Sequence, residues 1–179
     1  MLIFDLNKYI KKGNQIHALF TGTFDPPHRG HINTIIEAIN INPQIDSIIM
    51  LPHNWNKNKK PVSLEKRVEW LIKIVEEFKN EISIPVFICV DKNIINNPNE
   101  TNSIYSSFNQ RIFRIIGKDK NIEKLQKLNN AKIIMAQKGW EHMHSTVIRK
   151  AIAEGRSDDI KDLLPECILK EILNNNYYK

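Results

Sequence analysis

IHALFTGTFDPPHRGHINTIIEAI, residues 16–39, changes character twice. IHALF (16–20) is an apolar run of strand length. GHINTIIEAI (30–39) sets Ile32, Ile35, Ile36 and Ile39 at helical spacing. The turn between them holds Pro26 and Pro27, which stiffen it, and Gly22, whose missing Cβ lets backbone approach a ligand. Gly30 and His31 fall where the helix begins, and free N–H groups at a helix start favour an anion. Two imidazoles, His28 and His31, add N–H donors aimed at the same spot. Strand, tight turn and helix together therefore read as a phosphate-type anion site. It is built on neither G-x-G-x-x-G nor G-x-x-x-x-G-K-[ST], which do not occur in the chain.

A metal reading of the same histidines would need a further ligand, such as Asp25, His53, His142 or His144. Structural zinc favours cysteines, and catalytic zinc needs three firm protein ligands. The spacing of His28 and His31 is i, i+3 across a glycine, and Cys89 and Cys167 lie far away among apolar residues. No protein-bound metal is expected. Both cysteines are expected to be reduced core residues.

The pattern continues outward. DSIIMLP (46–52), ISIPVFICV (82–90), RIFRIIG (111–117) and AKIIMAQ (131–137) read as further strands, with Pro85 suggesting an edge or a bulge. SLEKRVEWLIKIVEEFKN (63–80) reads as a helix with Val68, Leu71, Ile72, Val75 and Phe78 on one face. Ile122, Leu125 and Leu128 form another helical stripe, and STVIRKAIAEG (145–155) and DLLPECILKEILNN (162–175) read as helices. Residues 91–110 are polar and turn-rich, and read as a long connection. This alternation predicts one α/β domain over 1–179: a doubly wound parallel sheet of about five strands, helices on both faces and a helical C-terminus. Ligands of such sheets bind beyond the carboxyl ends of the strands. The opening turn, the HNWNKNKK loop (53–60) and GKD (117–119) all begin there.

Composition sets outer bounds. The chain has 179 residues, 41% hydrophobic and 26% charged, with a net charge of +6. No apolar run approaches the roughly 18 residues of a membrane span. The N-terminus lacks the basic-then-apolar order of a signal peptide, so a cytoplasmic protein is expected. The charge gives a mild pull toward polyanions, but no basic patch interleaved with aromatics suggests nucleic acid. Homo-oligomerisation stays open.

TGTFDPPHRGH (21–31) resembles the G-x-F-D-P-x-H-x-G-H signature of the nucleotidylyltransferase superfamily, relatives of class I aminoacyl-tRNA synthetases. STVIRKAI (145–152) resembles the same family's S-[ST]-T-x-I-R element. IIGKD (115–119), PVSLEKRVEWL (61–71) and LLPECILKEILNNNYY (163–178) resemble elements of nicotinate-nucleotide adenylyltransferases. The match covers about residues 16–178 and leaves 1–15 as an N-terminal extension. It implies a Rossmann-like fold and transfer of AMP from ATP to nicotinate or nicotinamide mononucleotide, with release of pyrophosphate. ATP and a phosphorylated small molecule are then the partners, and Mg²⁺ arrives with ATP.

The resemblance also implies residue roles. His28 and His31 would hold the triphosphate, and Thr21, Gly22, Thr23 and Phe24 would line the nucleotide site by backbone. Ser145 and Thr146 would cap the next helix at the β,γ-phosphates, and Arg149 would grip the leaving pyrophosphate. Gly117 and Asp119 would approach the adenosine, and Asp25 would organise the turn. Lys57, Lys59, Lys60, Trp55 and Tyr105 are the acceptor candidates, Tyr105 through NSIYSSF (102–108), a loose echo of the S-Y-T-x-x-T-L element. The chain departs from that subfamily where a tryptophan usually follows G-x-D, a part for which Trp55 and Trp140 are the candidates, and it has QKG (137–139) for the usual R-P-G. Pantetheine-phosphate adenylyltransferases share the first signature, and a non-catalytic nucleotide-binding regulator on this scaffold is the reading from another class.

Overall fold

The computed structural model describes residues 1–55, 61–108, 110–116, 132–135 and 143–179. Lys57, Lys59, Lys60, Gly117, Asp119, Trp140, His142 and the Ile122–Leu128 stripe lie outside them. The described elements are, in order, β1 (Leu2–Ile3), α1 (Leu6–Lys11), β2 (His17–Gly22), α2 (Arg29–Ile41), β3 (Ser47–Pro52), α3 (Leu64–Glu77) and β4 (Val86–Cys89). There follow α4 (Lys92–Ile95), α5 (Pro98–Ser107), β5 (Ile112–Ile116), β6 (Lys132–Met135), α6 (Ser145–Ala153), a 3-10 turn (Ser157–Leu163) and α7 (Glu166–Asn174).

The strands form one parallel sheet in the order β1-β4-β3-β2-β5-β6. Their side chains alternate between two cores, as the strand period of two requires. Ala18, Phe20, Ile48 and Met50 face α2, α3, α6 and α7. Leu19, Ile49 and Leu51 face α1, α4 and α5. The fold is therefore doubly wound, with the order of connection reversing between β2 and β5.

Among the described residues the sheet has six strands, where the sequence predicts about five. The added one comes from the N-terminal extension: β1 closes the edge beside β4, with the Ile88 N–H donating to Met1 O and the Val90 N–H to Ile3 O. Two residues are too few to show a period. Pro85 marks neither an edge nor a bulge. It precedes β4, where its missing N–H does no harm, and its carbonyl accepts from the Ile48 N–H at 3.0 Å.

Helix α3 buries Arg67, Trp70, Leu71 and Ile74, while Ile72 is 46% exposed, so its inner face is rotated from the expected one. Residues 91–110 are not a plain connection. Asp91 and Asn97 cap α4 and α5, Pro98 sits at the first helical position, and Ile94, Ile95, Ile104 and Tyr105 pack into the second core. Cys89 is buried as expected, but Cys167 is exposed on α7. No helix of the described residues is long and apolar enough to cross a membrane.

Candidate functional site

Strand β2 pairs with β3 to its last residue, Gly22 opposite Pro52, and the chain then turns at the point where the sheet order reverses. Phe24 takes a left-handed conformation (φ 51°), which turns its ring into the core, edge-on to His31 with centroids 4.9 Å apart. A Cβ on Gly22 would stand 3.0 Å from that ring, so Gly22 first makes room for Phe24 rather than for a ligand. The Gly22 and Thr23 carbonyls accept from the His53 N–H and from Arg67.

His28 is the N-cap of α2 and His31 its third residue, so the two rings lie over the helix start with centroids 3.8 Å apart. The His28 N–H donates to His31 Nδ1 at 3.1 Å. An accepting Nδ1 puts the proton of the neutral ring on Nε2, leaving a donor there. Burial, then the nearby His144, pushes the His31 pKa down to about 3. Burial, then His31 and His144, holds His28 well below the usual histidine range. Both are neutral N–H donors at physiological pH. Gly30 makes this possible, since a Cβ there would stand 2.9 Å from Met143 Cβ and 3.0 Å from the His28 ring.

The start of α6 forms the facing wall. His144, not Ser145 or Thr146, is the N-cap. Ser145 Oγ instead donates to Pro26 O at 3.0 Å, tying the two helix starts together. Arg149 Nη1 donates to Asp25 O at 2.5 Å, and Nη2 to Thr146 Oγ1 at 3.2 Å. His28, His31, Ser145, Thr146 and Arg149 thus gather around one pair of helix N-termini.

The turn also depends on Arg67 and Tyr178, to which the sequence assigned no role. Arg67 is fully buried and donates to Val62 O, Thr23 O, His53 O and Asn54 Oδ1, binding the loops after β2 and β3 to one guanidinium. Its signal was an arginine on the stripe shared with Trp70, Leu71 and Ile74. Asp25 accepts from the Val62 N–H (3.2 Å) and the Tyr178 hydroxyl (2.7 Å), so it organises the turn through distant residues. Arg29, inside the signature, points away, to Glu81 and over the Phe78 ring.

Of the acceptor candidates, Trp55 is half-buried and stacked on His53 with ring centroids 4.0 Å apart. Tyr105 is a correction: its side chain is wholly enclosed in the second core, near Arg114, and cannot face a ligand there. Among the described residues no three His, Cys, Asp or Glu side chains are placed to hold a metal ion.

A family model described as cytidylyltransferase-like matches residues 19–151. A probable nicotinate-nucleotide adenylyltransferase of Sulfurovum sp. (strain NBC37-1) is 33% identical over 129 residues, 69% of this chain and 64% of the relative. The chain thus spans less than two thirds of that relative's length. A phosphopantetheine adenylyltransferase of Wigglesworthia glossinidia brevipalpis is 28% identical over 162 residues, 87% of this chain and 89% of the relative. Among solved structures, Plasmodium falciparum nicotinic acid mononucleotide adenylyltransferase complexed with NaAD superposes with a TM-score of 0.69 at 14% identity, covering 92% of this chain and 98% of that one.

Proposed function

The chain belongs to the cytidylyltransferase-like family, and from that premise we propose that it transfers AMP from ATP to nicotinate mononucleotide, releasing pyrophosphate. The observation that carries this reading is the meeting of two helix N-termini over a neutral histidine pair and Arg149. Such a site offers many N–H donors and little competing negative charge, which suits a polyphosphate.

In the reaction an oxygen of the acceptor phosphate attacks the α-phosphorus of ATP. The bond from that phosphorus to the bridging oxygen breaks, and its electron pair leaves with pyrophosphate. A phosphate monoester is already anionic at neutral pH, so no general base is needed. Catalysis then rests on positioning and on donors matched to charge that develops late. His31 Nε2–H donates to the α-phosphate, His28 helps to hold the triphosphate, and the backbones of Thr21, Gly22, Thr23 and Phe24 line the nucleotide. Ser145, Thr146 and the α6 start face the β,γ-phosphates. Arg149 has five N–H donors, and those not bonded to Asp25 and Thr146 meet the leaving group. Gly117 and Asp119 are assigned to the adenosine side, and Lys57, Lys59, Lys60 and Trp55 to the acceptor.

Mg²⁺ fits as a passenger of ATP. Asp25 has Oδ1 bonded to Val62 and Tyr178 and Oδ2 facing Arg149, so the carboxylate at the turn is already engaged and is not offered to magnesium. No protein ligand is assigned to it. A cytoplasmic location goes with the reading.

The Wigglesworthia relative, matched over most of both chains, favours 4′-phosphopantetheine as the second reading. Pyrophosphate release from ATP, measured with nicotinate mononucleotide, nicotinamide mononucleotide and 4′-phosphopantetheine, separates these. Release with nicotinate mononucleotide is expected. Release only with 4′-phosphopantetheine selects the second reading, and ATP binding without release from any acceptor marks a regulator.

A further inference from the structure

Helix α7 is fastened to α3. Glu171 accepts from Lys66 (2.5 Å), Lys73 (2.8 Å) and the Trp70 indole (3.3 Å), and the Tyr177 ring stands edge-on to Trp70 at 5.6 Å. Beyond the end of α7, Asn176 and Tyr178 both take left-handed φ, 52° and 70°. The Tyr178 hydroxyl comes within 2.7 Å of Asp25 Oδ1 at the heart of the β2–α2 turn.

Asp25 is buried, Arg149 faces its carboxylate, and the buried Arg67 guanidinium feels its charge. A buried carboxylate beside an arginine ordinarily draws it into a short two-pronged pair. Here Arg149 Nη1 stays 3.8 Å from Asp25 Oδ2 and bonds the Asp25 carbonyl instead. The other carboxylate oxygen is held by Tyr178 and the Val62 N–H. Burial and the Asp25 carboxylate raise the Tyr178 pKa, so the phenol remains a donor.

We propose that Tyr178 is a positioning residue: by holding Asp25 Oδ1 it fixes the orientation of the carboxylate, keeps Oδ2 out of a close pair with Arg149 and so leaves the remaining Arg149 donors to the pyrophosphate portion of the nucleotide. The proposal rests on the assignment of Arg149 under the adenylyltransferase reading. Without the phenol, Asp25 turns to Arg149 and pulls it off the anion site.

The test compares Tyr178→Phe, Arg149→Ala and the double variant Asp25→Asn/Tyr178→Phe. ATP and pyrophosphate are titrated by calorimetry, and KM is measured for ATP and for nicotinate mononucleotide. Tyr178→Phe removes only an oxygen. It is expected to weaken ATP and pyrophosphate about tenfold, the scale of one hydrogen bond to a charged group. The KM for the acceptor and the melting temperature should barely move. In the double variant, where the amide no longer attracts Arg149, affinity for pyrophosphate should return toward wild type. Unchanged ATP and pyrophosphate binding in Tyr178→Phe, beside a clear loss in Arg149→Ala, overturns the positioning role alone. Equal weakening of both substrates with a lower melting temperature also overturns it, because that is the mark of a structural residue. Undiminished pyrophosphate binding in Arg149→Ala removes the assignment of Arg149 and the proposal together.

Discussion

Asp25 lies just past the end of β2 and Asp91 just past the end of β4, and both are almost wholly buried, at 5% and 7% exposure. Each binds a backbone N–H from far along the chain, Val62 for Asp25 (3.2 Å) and Leu6 for Asp91 (3.2 Å). Their remaining partners differ. Asp91 also accepts from the Asn93 N–H and so caps α4. Asp25 takes the Tyr178 hydroxyl and faces Arg149. The same residue type at the same kind of strand end thus makes a joint in one place and, in the other, meets Arg149 beside the proposed anion site. What separates them is the charge of the groups that arrive from elsewhere.

The comparison fails first if the β2 end is no more chemical than the β4 end. His31→Ala should lower turnover about a hundredfold or more, the usual scale for losing a donor to a transition state. Circular dichroism and the melting temperature should stay close to wild type. Near-normal turnover would remove the histidine pair from the phosphate site.

Gly30→Ala probes the packing that holds His28. Alanine gains up to about 1 kcal/mol of helix propensity over glycine. Its Cβ would stand 2.9 Å from Met143 Cβ and 3.0 Å from the His28 ring, and overpacking of that kind costs about 1–3 kcal/mol. The second effect should win, with a net loss of up to about 2 kcal/mol in urea unfolding and weaker ATP binding. A more stable variant with normal ATP affinity would show that His28 has room to move.

Acid should also single out the β2 end. His31 titrates near 3 when folded and near its ordinary value of 6.5 when unfolded. Between those values the unfolded chain binds more protons, so stability is complete above about pH 6.5 and falls as the pH drops toward 3. One such group changes stability by up to about 1.4 kcal/mol per pH unit. Urea midpoints from pH 7.5 to 5.5 should slope downward, and His31→Gln should reduce that slope, leaving the share of His28 and His17, whose pKa values burial also lowers. An equal slope in the variant would assign the acid sensitivity to other groups.

Much of the β2 end is legible in the sequence because its signals are local. The strand, the prolines, Gly30 and the helix start at residues 29–31 follow one another, and each carries its own conformational rule. Tyr178 is not legible, because nothing local tells a tyrosine beyond the last helix to meet an aspartate 153 residues earlier. Arg67 is hidden by its charge: on the buried stripe of α3 it reads as a solvent residue until four oxygen partners surround it. At the β4 end the difficulty is length and composition. Strand β1 has two residues and α4 four, and the Asn-rich α5 reads as loop although Asn97-Pro98 is a helix-start pair. Polar composition masked the spacing of Thr101, Ile104 and Tyr105, which is what buries that helix.

Asp91 provides the counter-test. Asp91→Ala removes the cap of α4 and the acceptor for the Leu6 N–H, leaving a buried donor behind. Loss of a cap is worth about 1 kcal/mol, and an unsatisfied N–H adds a similar amount. Because α4 has four residues and makes few bonds of its own, the neighbourhood should relax and recover part of this, leaving a loss of about 1 kcal/mol in urea unfolding. Turnover and the KM for ATP should remain within about twofold of wild type, since the partners of Asp91 are backbone groups of the β1–β4 edge and not the cations of the anion site. A large fall in turnover at unchanged stability would mean that the β4 end takes part in the chemistry, and the two aspartates would then differ in partners but not in kind.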